Sequence, residues 1–383
     1  MNILYIESSL PPERGGIQRV TWIISRYLIS KGNDVFFAYF LCDSDDVDST
    51  HKIKYSQKWN SAKVKSTLIH FILQKQIDVV ICQDQYTKGI FKTLLYLKRN
   101  NICKIISCFH LNPGFEKYLT KNTSLIYYLK RLLIKLFENR DIDRIPLDRM
   151  YNIVDKLVLL SPSFIEGVVK CYGLPSKEKL TCIPNPLSFN LIIKENDISC
   201  KKKQVLIIAR LVEVQKNILS ALNIWKIIET YGCNGWELII GGYGQDEDMV
   251  LNAMKALELK HCHFVGKVEQ PIELYKQSQI FMMTSNYEGF GMTLTEALQM
   301  GCIPLAFDNF TALHDIISDS YNGYIIPSGR EDLYANKLFN LMNDDSLRRK
   351  MISNAIISSS RFSIENIGEQ WIKLLKELIY YKH

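Results

Sequence analysis

An α/β fold with two parallel-sheet domains is predicted by three features of the 383-residue sequence. The chain opens on a strand, a helix and a second strand. Apolar strand-like runs then keep alternating with amphipathic helical segments. Residues 281–304, FMMTSNYEGFGMTLTEALQMGCIP, read as strand, glycine turn, helix and strand. A βαβ opening implies parallel neighbours with helices on both faces of the sheet. The length accommodates two domains, each large enough for its own core. A hydrophobic content of 47% with 23% charged residues excludes a disordered chain. No apolar run reaches the roughly 18 residues of a membrane span, and Met1 to Ile6 is too short for a signal peptide. Ten cysteines show neither a CxxC pair nor zinc spacing, so they read as small buried residues of a reducing, cytoplasmic compartment.

In order, Asn2 to Glu7 is the first strand, SSLPPERGG a loop, Ile17 to Ser30 a helix, and Val35 to Phe40 the second strand. The loop lacks the G-x-G-x-x-G of a dinucleotide-binding turn, which argues against an NAD dehydrogenase. It carries instead Gly15-Gly16 at the helix start, suited to closing on a diphosphate. The Asp-x-Asp at Asp43 and Asp45 sits among further acids and reads as a solvated loop rather than a metal site. Helix Val64 to Gln74, strand Val79 to Cys82, helix Thr87 to Arg99 and strand Lys104 to Cys108 follow. His110 stands just beyond that last strand, where ligands of open α/β sheets bind.

Residues 117–149 interrupt the alternation. Seven apolar residues from Leu125 to Phe137 recur at helical spacing, with Lys121, Lys130, Arg131, Lys135 and Arg140 around them. The stretch 121–140 fits a core helix with a basic face, and equally a helix resting on anionic lipid. Strand Lys156 to Ser161, a helix from Pro162 and strand Lys179 to Ile183 complete domain 1–186. Residues 187–203, with few large apolar groups and Lys201-Lys202-Lys203, read as a linker. The second domain, 204–363, opens on strand Gln204 to Ala209, followed by Arg210, Lys216 and a helix from about Asn217 to Tyr231. Residues 364–383 form a terminal amphipathic helix.

The chemistry gathers at 288–296. Gly289 and Gly291 allow close backbone approach. The amides of Gly291, Met292, Thr293 and Leu294 open a helix, where phosphate binds well. Glu288 precedes those donors and Glu296 follows them, so one acid reaches beyond a phosphate and the other behind it. Hexose, diphosphate and ribose have that layout. Arg210 and Lys216 can neutralise the diphosphate.

The spacing E-G-F-G-x-x-x-x-E resembles the Glu-x7-Glu signature of retaining glycosyltransferases of the GT-B architecture, the family 4-like glycosyl transferases group 1. IARLVEVQKN resembles the family's G-R-L…K element, with Ala209 in place of glycine. Gly15-Gly16, Gly241-Gly242-Tyr243-Gly244, His263 to Gly266 and the run VLLSPSFIEGVVKCYGLPSKEKLTCIPNPLSF continue the resemblance. Asn309-Phe310 departs from it where a Gly-Gly pair is frequent. It covers nearly the whole chain and is most specific over residues 156–326.

The resemblance implies two Rossmann-like domains facing across a cleft, with the last helix crossing back to the first. It implies transfer from a nucleotide sugar, most often a UDP-sugar, to a saccharide or lipid-linked acceptor in surface polysaccharide or glycolipid synthesis. Glu288, Arg210, Lys216 and His110 would carry catalysis. Gly15, Gly16, Arg210, Lys216, Val265, Glu288, Gly289, Phe290, Gly291, Met292, Thr293, Leu294 and Glu296 would hold the donor. Attack is expected on the face the leaving phosphate departs, that phosphate taking the acceptor proton, with no metal and no cofactor. A sugar-nucleotide epimerase and a non-catalytic sugar-nucleotide scaffold are the alternatives.

Charge divides unevenly. Residues 1–190 hold 27 Lys+Arg against 17 Asp+Glu, and residues 191–383 hold 20 against 23. The first half thus suits an anionic partner, a phosphorylated substrate or the inner face of a membrane. No nucleic-acid-binding pattern accompanies it.

Overall fold

The structure, a computed structural model, describes residues 1–9, 15–39, 51–54, 60–83, 87–113, 146–191, 193 and 198–380. The chain divides into two compact units, Met1–Pro186 with Ile364–His383, and Leu187–Ser363.

In the first unit the elements run β1 (Asn2–Ile6), α1 (Gly16–Ser30), β2 (Asp34–Tyr39), β3 (Lys52–Lys54), α2 (Ser61–Gln74), β4 (Val79–Cys82), α3 (Lys88–Arg99), β5 (Lys104–Phe109), α4 (Leu147–Ile153), β6 (Lys156–Leu159), α5 (Phe164–Tyr172) and β7 (Leu180–Cys182). All seven strands pair in parallel, in the order β3-β2-β1-β4-β5-β6-β7. Strands covered on both faces need continuous apolar runs, which is why VVIC and KIISCF do not alternate. The helices between them start at side-chain caps where the sequence offers one. Asn60 accepts from Lys63 N, and Thr87 from Ile90 N. The order reverses between β1 and β4, which opens a crevice at their carboxyl ends.

The second unit repeats the plan with β8 (Lys202–Arg210), α6 (Glu213–Lys216), α7 (Ile218–Tyr231), β9 (Glu237–Tyr243), α8 (Glu247–Ala256), β10 (Cys262–Gly266), α9 (Pro271–Gln277), β11 (Ser278–Met283), α10 (Met292–Gln299), β12 (Ile303–Phe307), α11 (Leu313–Ile316), β13 (Tyr324–Ile326), α12 (Glu331–Asn343) and α13 (Asp345–Ser359). Its six parallel strands lie in the order β10-β9-β8-β11-β12-β13, so its reversal falls between β8 and β11. Trp225 and Trp236 are fully buried in its core, and the Trp236 indole donates to Met342 O at 3.0 Å.

The last helix, α14 (Ile364–Tyr380), packs on α1 within the first unit. Gly368 lies directly on the Tyr27 ring, where any Cβ would collide, and the Tyr27 hydroxyl donates to Glu369 Oε1 at 2.7 Å.

The stretch expected as linker, 187–203, is tied down at both ends. Ser188 and Phe189 bond to α10. Lys201 is buried, and its ammonium donates to the carbonyls of Tyr275, Lys276 and Ser278 at the end of α9. β8 begins one residue later. A run of three lysines reads as solvated because composition does not show that a helix C-terminus, with its orphan carbonyls, waits beside one of them.

Candidate functional site

The candidate site of the second unit stands at the carboxyl ends of β8 and β11, on either side of the point where the strand order reverses. β8 delivers Arg210, exposed at its last position. The chain then turns through α6 and a left-handed Asn217 into α7. The Glu213 carboxylate locks this turn by accepting from Ile218 N at 2.7 Å and Leu219 N at 3.2 Å, while Glu213 N donates to Asp246 at 2.7 Å. The loop after β11 is stitched onto the same turn. Thr284 Oγ1 donates to Lys216 O at 3.2 Å, Asn286 N to Gln215 O at 2.7 Å, and Asn286 Nδ2 to Val214 O at 3.2 Å. These bonds bring Lys216 Nζ to 2.5 Å from Glu288 Oε1. The side chains are 15% and 10% exposed, so the pair interacts in a medium less screening than bulk water. A small concavity beside it is lined by Ile208, Ala209, Lys216, Met283, Ser285 and Thr293 among others.

Between Glu288 and α10 the glycine turn behaves as its residues require. Phe290 is buried and meets the Phe362 ring edge-on at 5.8 Å. Gly291 adopts φ +90°, in the left-handed region, and caps α10 with no side-chain bond. Of the four amides expected to face a phosphate, that of Leu294 does not, because it donates to Gly291 O at 2.9 Å. The first turn closes tightly, a 3₁₀-type bond that spacing alone does not reveal.

Glu296 lies on α10 with only 3% exposure. Its Oε1 accepts from Ser188 Oγ at 2.6 Å and its Oε2 from the Tyr275 hydroxyl at 3.0 Å. Gln299, one turn on, donates to Phe189 O at 2.6 Å. The structure thus places Glu288 against a cation and Glu296 in a buried cluster of hydroxyls. Sequence reading missed Ser188, Tyr275 and Asn286, since single hydroxyls and amides far apart in the chain carry no local signal, and it missed Glu213, whose local bonds to Ile218 N and Leu219 N depend on the turn the chain takes there.

Val265 sits on the edge strand β10 and is 47% exposed. The pairing register shifts between Phe264 and Gly266, which sets Val265 at a bulge. Neighbouring Gly242 and Gly244 approach the carbonyls of Ala209 and Leu211 so closely that no Cβ fits. Tyr243 between them is 49% exposed, with Lys267 Nζ 5.7 Å from its ring centre. Only its aromatic character amid glycines could have singled it out.

In the first unit, Gly15 and Gly16 begin α1, and Arg19 N donates to Gly15 O at 3.1 Å. His110 follows β5, and its Nε2 donates to Gln83 Oε1, 2.8 Å away at the end of β4. With Gln83 accepting, Nδ1 keeps its lone pair. Burial pulls the imidazole down to about 4, so it is neutral at pH 7. A folded-state value below the unfolded 6.5 means that protons favour the unfolded chain. Stability associated with His110 is complete above pH 6.5 and is lost as pH falls from 6.5 to 4. At about 1.4 kcal/mol per unit the loss is on the order of 3 kcal/mol. His110→Gln should flatten this part of the melting temperature–pH curve. An unchanged slope in the variant would remove His110 as its source.

Asp43, Asp45 and the stretch 121–140 lie outside the described residues. Among the described residues no helix is long and apolar enough to cross a membrane, and no cluster of three or more His, Cys, Asp or Glu could hold a metal.

Comparison with known proteins adds to this geometry. Residues 188–357 match the family Glycosyl transferases group 1. The chain is 28% identical over 227 residues to the amylovoran biosynthesis glycosyltransferase AmsD of Erwinia amylovora, covering 59% of this chain and 63% of that one. It is 26% identical over 201 residues to an α-1,4-N-acetyl-D-galactosaminyltransferase of Campylobacter jejuni that acts on an undecaprenol-linked saccharide, covering 52% and 55%. The chain therefore spans little more than half the length of these relatives. The crystal structure of Anabaena Alr3699/HepE in complex with UDP superposes over 99% of this chain and 100% of that one, with TM-score 0.73 and 16% identity. At that identity the likeness speaks for the fold, two Rossmann-type parallel sheets of the GT-B kind.

Proposed function

Because residues 188–357 belong to the family Glycosyl transferases group 1, we propose that the chain transfers a sugar, with retention, from a nucleotide diphosphate donor to a saccharide or lipid-linked saccharide. A UDP-sugar is the preferred donor, supported by the UDP held in the similar Anabaena structure. Surface polysaccharide or glycolipid is the preferred product, supported by the amylovoran and undecaprenol-linked relatives.

The observation that carries this reading is the Lys216–Glu288 pair at the reversal of the second sheet, beside the uncapped start of α10. Cleavage of the sugar–oxygen bond builds positive charge on the sugar ring and negative charge on the departing diphosphate. Lys216, Arg210 and the amides of Met292 and Thr293 supply positive potential for the diphosphate. Glu288 supplies negative potential and accepts hydroxyl hydrogens on the sugar side. Val265 at its bulge meets the base through the backbone, and Glu296 lies on the ribose side. On this reading Gly15, Gly16 and neutral His110 are further donor-side residues, carried by the first unit. The departing phosphate oxygen takes the acceptor proton as the acceptor oxygen bonds to the anomeric carbon from the same face.

A melting screen against UDP-, GDP- and ADP-sugars tests the reading. A specific donor at about a hundred times its dissociation constant stabilises the chain by about 2.7 kcal/mol. UDP-sugars are expected to raise the melting temperature and the others much less. No shift with any nucleotide sugar would sink the proposal.

A further inference from the structure

We infer that Glu288 and the donor diphosphate compete for Lys216, so that only a donor still bearing its sugar satisfies both charges of the pair. This rests on the donor site proposed above.

Lys216 Nζ and Glu288 Oε1 lie 2.5 Å apart, each side chain largely shielded from solvent. An arriving diphosphate therefore meets a neutral pair rather than a free ammonium. The backbone around the pair is held from both sides, through Thr284 Oγ1 on Lys216 O and Asn286 N on Gln215 O. Lys216 thus reaches a phosphate by rotating its own side chain away from Glu288, not by moving the loop. That rotation leaves a shielded carboxylate without its counter-charge, which is costly.

An intact nucleotide sugar offsets the cost, since its sugar hydroxyls donate to the released Glu288. A nucleoside diphosphate does not. It takes Lys216 and strands Glu288 beside its own negative charge. The pair therefore weakens binding of the spent nucleotide more than that of the donor, which favours product release and discriminates for sugar.

Calorimetric titration with UDP tests this, with inorganic pyrophosphate as a probe that carries no base. Glu288→Gln keeps the shape and removes the charge. It should bind UDP about tenfold tighter than the wild type while gaining little for a UDP-sugar. Lys216→Ala should bind UDP at least tenfold more weakly. In the Lys216→Ala background, adding Glu288→Gln should change UDP affinity little. Glu288→Ala is expected to act in the same direction and serves if the glutamine variant does not fold.

Lys216-dependent UDP binding with no gain in either Glu288 variant overturns the competition but keeps the donor site. An equal gain with and without Lys216 also overturns it, because plain repulsion by Glu288 would then be the cause. UDP binding that ignores Lys216 altogether removes the donor-site reading, and the competition falls with it.

Discussion

Release of UDP from a UDP-sugar donor is expected to slow by about 10²-fold or more in Lys216→Ala, the loss that follows when one preorganised charge is removed from a developing anion. Lys216 is held for that task. Its carbonyl accepts from Thr284, its turn is locked by Glu213, and its ammonium is only 15% exposed. Once turned from Glu288 onto the donor diphosphate, a charge in partial shelter needs no further reorganisation as the bond breaks. Lys216→Arg keeps the charge but changes its shape and reach, and should recover only part of the rate. Arg210→Ala should cost a similar order of magnitude, since Arg210 ends β8, the strand whose following turn carries Lys216. The measurement is nucleotide release per minute with the donor found by the melting screen. A wild-type rate in Lys216→Ala, with the donor still bound, would show that the diphosphate leaves elsewhere.

The parts of this site legible in the sequence are those where one residue type is forced by one local geometry. Gly291 is one, because the turn into α10 needs a left-handed φ of +90°. The runs IFMM and CIPLAF are others, because strands buried on both faces cannot alternate. Local pattern carries no record of which strand lies beside which. The crevice between β8 and β11 follows from a strand order that the motif spacing only suggests.

Pairwise contacts between distant residues were illegible for the same reason. Lys201 sits in a run of three lysines, yet only it finds the carbonyls of Tyr275, Lys276 and Ser278. Ser188 lies 108 residues from Glu296, and nothing about a lone serine announces the contact. Helix starts leave amides free on average, so the motif alone makes the Leu294 amide a phosphate donor. Whether the first turn tightens onto Gly291 depends on how Phe290, Phe310 and Leu294 pack around it.

Glu296→Ala should therefore act on stability first. The Tyr275 hydroxyl, in a side chain with no exposure, would keep only its longer 3.4 Å contact to Thr293 O, and Ser188 Oγ would lose its carboxyl acceptor. A hydrogen bond to a carboxyl contributes from about 1 to 3 kcal/mol, and a buried donor whose bond is weakened adds to the cost. The expected loss is about 2–4 kcal/mol, on the order of 10 °C in melting temperature for a unit of this size. Nucleotide affinity should fall as well, and two milder variants separate the causes. Tyr275→Phe and Ser188→Ala each remove one anchor but keep the carboxylate. If the carboxylate itself receives ribose hydroxyls, both bind UDP nearly as the wild type does, and only Glu296→Ala loses affinity beyond its loss of stability. If Glu296 acts only by holding α10 to Ser188 and α9, the three variants lose UDP affinity in proportion to their melting temperatures. Full UDP affinity in a folded Glu296→Ala protein would exclude both roles and leave the glutamate a purely structural acid.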